Sequence, residues 1–130
     1  MRAQTAPKTG PQLEKYTSRK VRRAPADRLA AWIAHYLALA VHGVRSEAVA
    51  RKITLHLSRF QAFFRECYGH DRISACLKRD VLHWRKALVA QKLAPATVNN
   101  HLASLSAFTT WVQAQSPHRF PAGDPAKGDW

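Results

Sequence analysis

Apolar residues recur at helical spacing in four segments of the chain, and the clearest segment lies towards its C-terminal end. The apolar positions there are Val98, Leu102, Leu105, Phe108 and Val112. Their gaps of four, three, three and four residues follow one face of an α-helix. Pro95 stands where this helix would begin, because proline lacks the N–H that a first helical turn leaves unused. The pattern predicts one helix over residues 95–112.

The three preceding segments also predict helices, and their ends are marked by residues that start or stop helices. The first should start near Pro25, with Asp27 in its first turn. The second should run from an N-cap at Ser46 to a stop at Gly69, and the third follows a connection over residues 70–78. The buried stripe of the second helix should comprise Val49, Ile53, Leu57, Phe60, Phe64 and Cys67. Together the four segments predict an all-α, compact four-helix bundle, or five helices with a short extra turn.

The two ends of the chain lack such stripes. Residues 1–24 carry seven Lys and Arg against one acid, Glu14. This composition predicts a basic arm that is disordered in isolation, either a solvated tail or a nonspecific phosphate-binding strap. Residues 117–130 contain three prolines and two glycines and are expected to form an irregular tail. The helical domain is therefore expected to span residues 25–116.

The charge balance narrows the class of partner. The chain has 21 Lys and Arg against 8 Asp and Glu, a formal net charge of +13. Such an excess favours a polyanion, either nucleic acid or an anionic membrane surface. Membrane-surface binding is the weaker of the two, because no helix combines a basic face with a hydrophobic face that is not needed for the core. Two cysteines are too few for a disulfide scaffold, so a reducing cytoplasm is expected.

No catalytic or metal-binding pattern is evident. The seven histidines and two cysteines include no Cys-x-x-Cys pair and no His-x-x-x-His pair on one apolar face. No Gly-rich phosphate loop is present, and the acids are scattered. We therefore expect no cofactor, no metal and no enzyme activity in this chain.

The outer face of the fourth helix is uncharged, which is unusual for a surface helix. No Lys, Arg, Asp or Glu occurs from Pro95 to Ser116. That face carries Asn99, Asn100, Ala103, Ser104, Ser106 and Ala107. One interpretation is that other protein buries the helix on both faces. The other is that it lies in the major groove of DNA, where an Asn side chain can bond adenine in two places at once.

The second helix, by contrast, is cationic on its outer face. From Arg45 to Glu66 five basic residues are offset by only two acids. The basic residues that lie away from the apolar stripe are Arg51, Lys52 and Arg59, with Arg45 just before the cap. These side chains either solvate the surface or contact phosphates.

These features together resemble the N-terminal core-binding domain of tyrosine recombinases, the phage integrase family, and in places its Cre-type members. The best marks are the segment LAPATV over residues 93–98, the spacing from Leu102 to Trp111, and the triplet Asp124-Pro125-Ala126. The family usually has Asn where Asp124 stands, Gly where Lys92 stands and Thr where Val49 stands. The likeness covers residues 25–126.

The resemblance implies an orthogonal, SAM-like helical bundle that clamps one side of duplex DNA. It also implies a separate catalytic domain in the parent chain, carrying the nucleophilic tyrosine, and self-association into tetramers on DNA. On this basis the chain itself would not cleave or join DNA, and it would act in the cytoplasm of a bacterial cell, at the nucleoid.

The family places its second and fourth helices against the major groove. Carried over residue by residue, that use implicates Arg51, Lys52, Thr97, Asn100, His101 and Ser104. Ala96 also stands at a contact position of the family, but it replaces what is often a basic residue. The charge and amide patterns described above add Arg45, Arg59 and Asn99. We expect Arg45, Arg51, Lys52 and Arg59 to contact phosphates and Asn100 to contact base edges, while His101 could do either.

Two other functions fit the same sequence. One is a stand-alone helical DNA-binding regulator, although no separate dimerisation stripe is visible. The other is a helical protein-interaction module, which is compatible with DNA binding because recombinases of this family assemble partly through these domains.

Overall fold

The computed structural model describes residues 25–128, and that part of the chain consists of helices and the turns between them. The four α-helices are α1 (Leu29–Tyr36), α2 (Glu47–Tyr68), α3 (Lys78–Ala90) and α4 (Pro95–Gln115). A π-helical turn (Leu37–Val41) continues α1, and 3₁₀ turns lie at Ile73–Ala75 and Pro117–Arg119. The predicted all-α bundle is confirmed, and one short extra turn lies in the connection between α2 and α3.

Local chemistry sets the helix ends where the sequence predicted them. The Ser46 hydroxyl accepts a hydrogen bond from the Val49 amide at 3.2 Å and caps α2. Gly69 ends α2 with a φ of 73°, in the left-handed region that glycine adopts without strain. Pro95 is the first residue of α4.

The start of α1 differs from the prediction. The helix begins at Leu29 rather than near Pro25, so Asp27 lies before its first turn. The Asp27 carboxylate instead accepts hydrogen bonds from the amide and hydroxyl of Ser74. Two of the free amides of α1 are satisfied by Asp71, whose carbonyl accepts from Leu29 and whose carboxylate accepts from Ala30. A residue from the α2–α3 connection therefore does what Asp27 was expected to do.

The start of α3 depends on Asp80, a side chain that is only 1% exposed. Its carboxylate accepts a hydrogen bond from the Leu77 amide at 2.8 Å and another from the Tyr68 hydroxyl. Because the carboxylate also lies in the first turn, it offsets the positive end of the helix dipole. Asp80 thus links the end of α2 to the beginning of α3.

The core is one cluster to which all four helices contribute, and α2 and α4 each contact every other helix. Trp32 and Tyr36 are buried, as expected, and Tyr36 lies against Phe108 and Trp111 with ring centroids 5.4 Å apart in each case. Two residues of the predicted α2 stripe are exposed instead, namely Val49 and Cys67. They lie in the first and last turns of α2, outside the continuous buried stripe.

The C-terminal segment is part of the fold, so a domain boundary at residue 116 is too early. Phe120 and Ala126 are 3% and 2% exposed and belong to the core cluster. Asp124 accepts hydrogen bonds from the Thr110 hydroxyl and the Ala126 amide, which fastens the segment to α4. The prediction for residues 1–24 lies outside the described residues.

None of the helices in residues 25–128 is both long enough and apolar enough to cross a membrane.

Replacing Phe120 with Ala tests the packing of the C-terminal segment. The substitution should lower the free energy of unfolding by about 3–5 kcal/mol, because it removes a buried ring from the core. His118→Ala is the matched control, since His118 is exposed two residues away and its loss should cost less than about 0.5 kcal/mol. Urea denaturation measures both, and equal small effects would show that the segment does not stabilise the bundle.

Candidate nucleic-acid interface

A shallow groove of about 260 Å³ runs along the surface between α2 and α4. Arg45 and Lys52 line its α2 side, and Asn100 and Ser104 line its α4 side. The remaining lining residues are Tyr36, Val49, Ile53, His56, Ala103 and Ala107. The lining of the groove therefore combines two cations, two uncharged polar side chains of α4 and mostly apolar or small residues.

Four of the nine predicted site residues meet in this groove: Arg45, Lys52, Asn100 and Ser104. Lys52 and Asn100 thus lie on the same side of the molecule. Arg45, Lys52 and Asn100 are exposed, whereas Ser104 is half-buried. The two helix faces that the sequence distinguished by charge are therefore neighbours in the fold.

Five predicted residues lie on the same helices but do not line the groove, and Arg51 and Asn99 are two of them. Arg51 and Asn99 are both exposed. Each precedes a groove residue by one position, and one position turns a helix by about 100°. Their side chains therefore leave the helix in a different direction from Lys52 and Asn100.

His101 is buried, so the expectation that its side chain contacts DNA is wrong. The ring is 1% exposed and lies between α2 and α4. Its Nδ1 is 2.7 Å from the Thr97 carbonyl oxygen, and its Nε2 is 3.0 Å from Nη1 of Arg59. A carbonyl can only accept and a guanidinium can only donate. The ring therefore carries its proton on Nδ1 and accepts from Arg59 through Nε2.

The hydrogen bonds of His101 also define the surroundings of Thr97 and Arg59. The carbonyl of Thr97 is used by His101, and its side chain is half-buried. Arg59 is exposed, but one guanidinium nitrogen reaches inwards to His101. Since a guanidinium has five N–H donors, the others stay available to a ligand.

His56 is a buried member of the site that was not among the predicted site residues. Its Nδ1 is 2.7 Å from the Ser104 hydroxyl oxygen, and its ring lies 4.0 Å from the ring of His101. The pKa of His56 is lowered to about 4, chiefly by burial, and the positive charges of Arg59 and Lys52 act in the same direction. The lowered pKa keeps His56 neutral near pH 7.

The positions of both histidines in the sequence indicate that they are buried. His56 lies three residues after Ile53 and four before Phe60, and His101 lies three residues after Val98 and four before Leu105. Each therefore occupies a stripe position that an apolar residue would normally fill.

The acids of the described chain leave the groove positive. Asp27, Asp71, Asp80 and Asp124 each accept hydrogen bonds from backbone amides elsewhere in the bundle. One ion pair, Arg28 with Asp71, occurs within residues 25–128. No acidic side chain lines the groove.

Within the same described range, no group of three or more His, Cys, Asp or Glu side chains is placed to hold a metal ion. Comparisons with protein-family models, with curated proteins and with solved structures find no match for the chain. The resemblance to recombinase domains therefore rests on the sequence motifs alone.

The stability of the fold should depend on pH through His56. Above pH 6.5 this residue is neutral in the folded and unfolded chain alike, but between pH 6.5 and about 4 only the unfolded chain takes up the proton. Stability should therefore fall across that window, by about 1–3 kcal/mol from this residue. Urea denaturation of wild type and His56→Gln at a series of pH values measures the difference. Parallel curves for the two proteins would show that His56 is not held neutral.

Proposed function

We propose that this chain is a duplex-DNA-binding module, corresponding to the core-binding domain of a site-specific tyrosine recombinase. The observation that carries the proposal is the shared groove, in which the cationic side of α2 lies beside the uncharged side of α4. DNA offers the matching pair of surfaces, because its phosphates are anionic and the base edges between them are neutral and polar.

Helix α4 has the character of an element that enters the major groove. An α-helix with its side chains is about 10–12 Å across, and the major groove of B-DNA is about 12 Å wide. Ala103 and Ala107 are exposed and small, so they let the helix approach the bases closely. Asn100 is exposed on the same face and offers both a donor and an acceptor to an adenine edge.

Helix α2 and the turn just before it supply the contacts to the DNA backbone in this proposal. Arg45 and Lys52 flank α4 on one side and lie where a phosphate strand would border the major groove. Arg59 lies two helical turns beyond Lys52 and extends the same cationic row. Phosphate contacts of this kind give affinity and set the register of the protein on the duplex.

The strand-transfer chemistry belongs, on this proposal, to a catalytic domain of the same parent chain. That domain would supply the nucleophilic tyrosine and clamp the opposite side of the duplex. The module described here would bind and position DNA, and copies of the parent protein would associate on it.

A helical protein-interaction module is the second candidate, and one observation favours it. A second shallow depression continues along α4 beyond the groove and includes Ala103, Ala107 and Ala114, with Tyr36 and Trp111 beside them. Small residues spaced along a helix let another helix come close. Sedimentation of the chain without DNA distinguishes this function, because it predicts self-association where the DNA-binding proposal needs none.

The affinity for duplex DNA should fall steeply with salt. With about five to eight phosphates contacted, the dissociation constant should rise by orders of magnitude between about 50 and 200 mM salt. Fluorescence anisotropy with a labelled duplex measures the dependence. A dissociation constant that hardly changes over this range would contradict a phosphate-based interface.

Substitutions at Lys52 and Asn100 should separate affinity from sequence discrimination. Lys52→Ala should weaken binding to all duplexes alike and reduce the salt slope by about 1, because it removes a phosphate contact. Asn100→Ala should instead cost about 1–3 kcal/mol on a duplex selected from a random pool and little on unselected DNA.

The matched control is Arg65→Ala. Arg65 is an exposed basic residue of the same helix that does not line the groove. The Arg65→Ala variant should leave the affinity for DNA and the sequence discrimination nearly unchanged. If Lys52→Ala and Arg65→Ala weaken binding equally, the groove has no special part in it.

A further inference from the structure

We infer that His101 is a positioning residue, which holds the Arg59 guanidinium ready for a backbone phosphate without touching DNA itself. The inference rests on the proposed function, since it assigns a role to a buried residue beneath that same surface. Its physical basis is the chain of hydrogen bonds from the Thr97 carbonyl through the His101 ring to Arg59.

The His101 ring has little freedom to move. It is 1% exposed, and its Nδ1–H is committed to the backbone of α4. The ring of His56 lies 4.0 Å away on one side, and the ring of Trp84 from α3 lies 5.8 Å away. Nε2 is therefore a fixed acceptor that points towards α2.

Arg59 gains a defined position from this acceptor. An exposed arginine normally samples many rotamers, and binding a phosphate costs the entropy of choosing one. Here Nη1 of Arg59 already donates to the immobile Nε2 of His101, at a distance of 3.0 Å. The remaining donors of the planar guanidinium are thereby oriented before any ligand arrives.

Arg59 differs in this respect from the other cations of α2. Arg51, Lys52 and Arg65 make no side-chain hydrogen bond or ion pair with any residue in the range 25–128. Their side chains must be ordered at the moment of binding. The structure thus distinguishes one prearranged cation from three that are not.

Two arms test the inference, and the first needs no DNA. Side-chain ¹⁵N relaxation of the free protein should give a higher order parameter for Arg59 Nε than for Arg51 and Arg65. His101→Leu, which fills the buried site with an apolar side chain but removes the acceptor, should lower the Arg59 value to that of Arg51. His101→Gln, which offers an amide oxygen, should restore most of it.

The second arm is a double-mutant cycle on affinity for a random-sequence duplex. His101→Leu should weaken binding about three- to tenfold while leaving the salt slope unchanged, because the charge of Arg59 remains. Arg59→Ala should weaken binding and lower the slope by about 1. In the Arg59→Ala background His101→Leu should add nothing, whereas in the Lys52→Ala background it should keep its full effect.

The outcomes separate this inference from the proposed function. Failure of the wild-type chain to bind duplex DNA would overturn the proposed function, and with it the phosphate role given to Arg59. Duplex binding with additive effects of His101→Leu and Arg59→Ala would overturn the positioning role alone. An Arg59 side chain as mobile as Arg51 in the wild-type protein would also overturn it, even if His101→Leu fails to fold. Circular dichroism and thermal unfolding of each variant show which comparisons are between folded proteins.

Discussion

The contact between α2 and α4 is the constraint on which the candidate site depends. His56 pairs with Ser104 and Arg59 pairs with His101, so the residue numbers rise on one helix as they fall on the other. The two helices therefore pass each other in opposite directions at this contact. A polar seam built from hydrogen-bonded side chains fixes their register, because each buried donor or acceptor must meet its own partner. The charged face of one helix and the neutral face of the other are adjacent for this reason.

The distribution of acids complements that seam. Four aspartates are used to satisfy backbone amides at helix starts and turns, away from the groove. The cations, by contrast, are largely exposed and unpaired within residues 25–128. Four of the six acids in the described residues thus bind backbone amides, while most of the positive charges lie at the surface. An arrangement of this kind maintains a positive field beside a neutral helix, which suits a polyanion with a neutral polar centre.

The sequence predicted the helices well because their ends depend on local chemistry. Ser46, Gly69 and Pro95 act through their own side chains or backbone preferences, and no distant residue is needed to recognise them. The start of α1 was predicted wrongly because Asp71, from another part of the chain, supplies the partners for its amides. The buried C-terminal segment was missed for a similar reason, since a single ring such as Phe120 gives no periodic pattern.

The candidate site could be predicted only in part. Charge and amide content identified Lys52 and Asn100, but their adjacency follows from the packing of two helices that are distant in sequence. The roles of the histidines were harder to predict, because the sequence does not distinguish a polar residue on a solvent-exposed helix face from one that is hydrogen-bonded between two helices. Only the positions of His56 and His101 within the apolar stripes indicated burial, and the partners that make the burial of His101 tolerable lie partly on α2.

The most direct test of the shared α2–α4 surface is an NMR titration of the ¹⁵N-labelled chain with duplex DNA. The account predicts that the largest shifts fall on groove residues, including Lys52, Asn100 and Ser104, while the exposed side of α3 around Arg85 and Lys86 changes little. Large shifts on α3 with an unperturbed groove would show that DNA binds this protein elsewhere and would contradict the account.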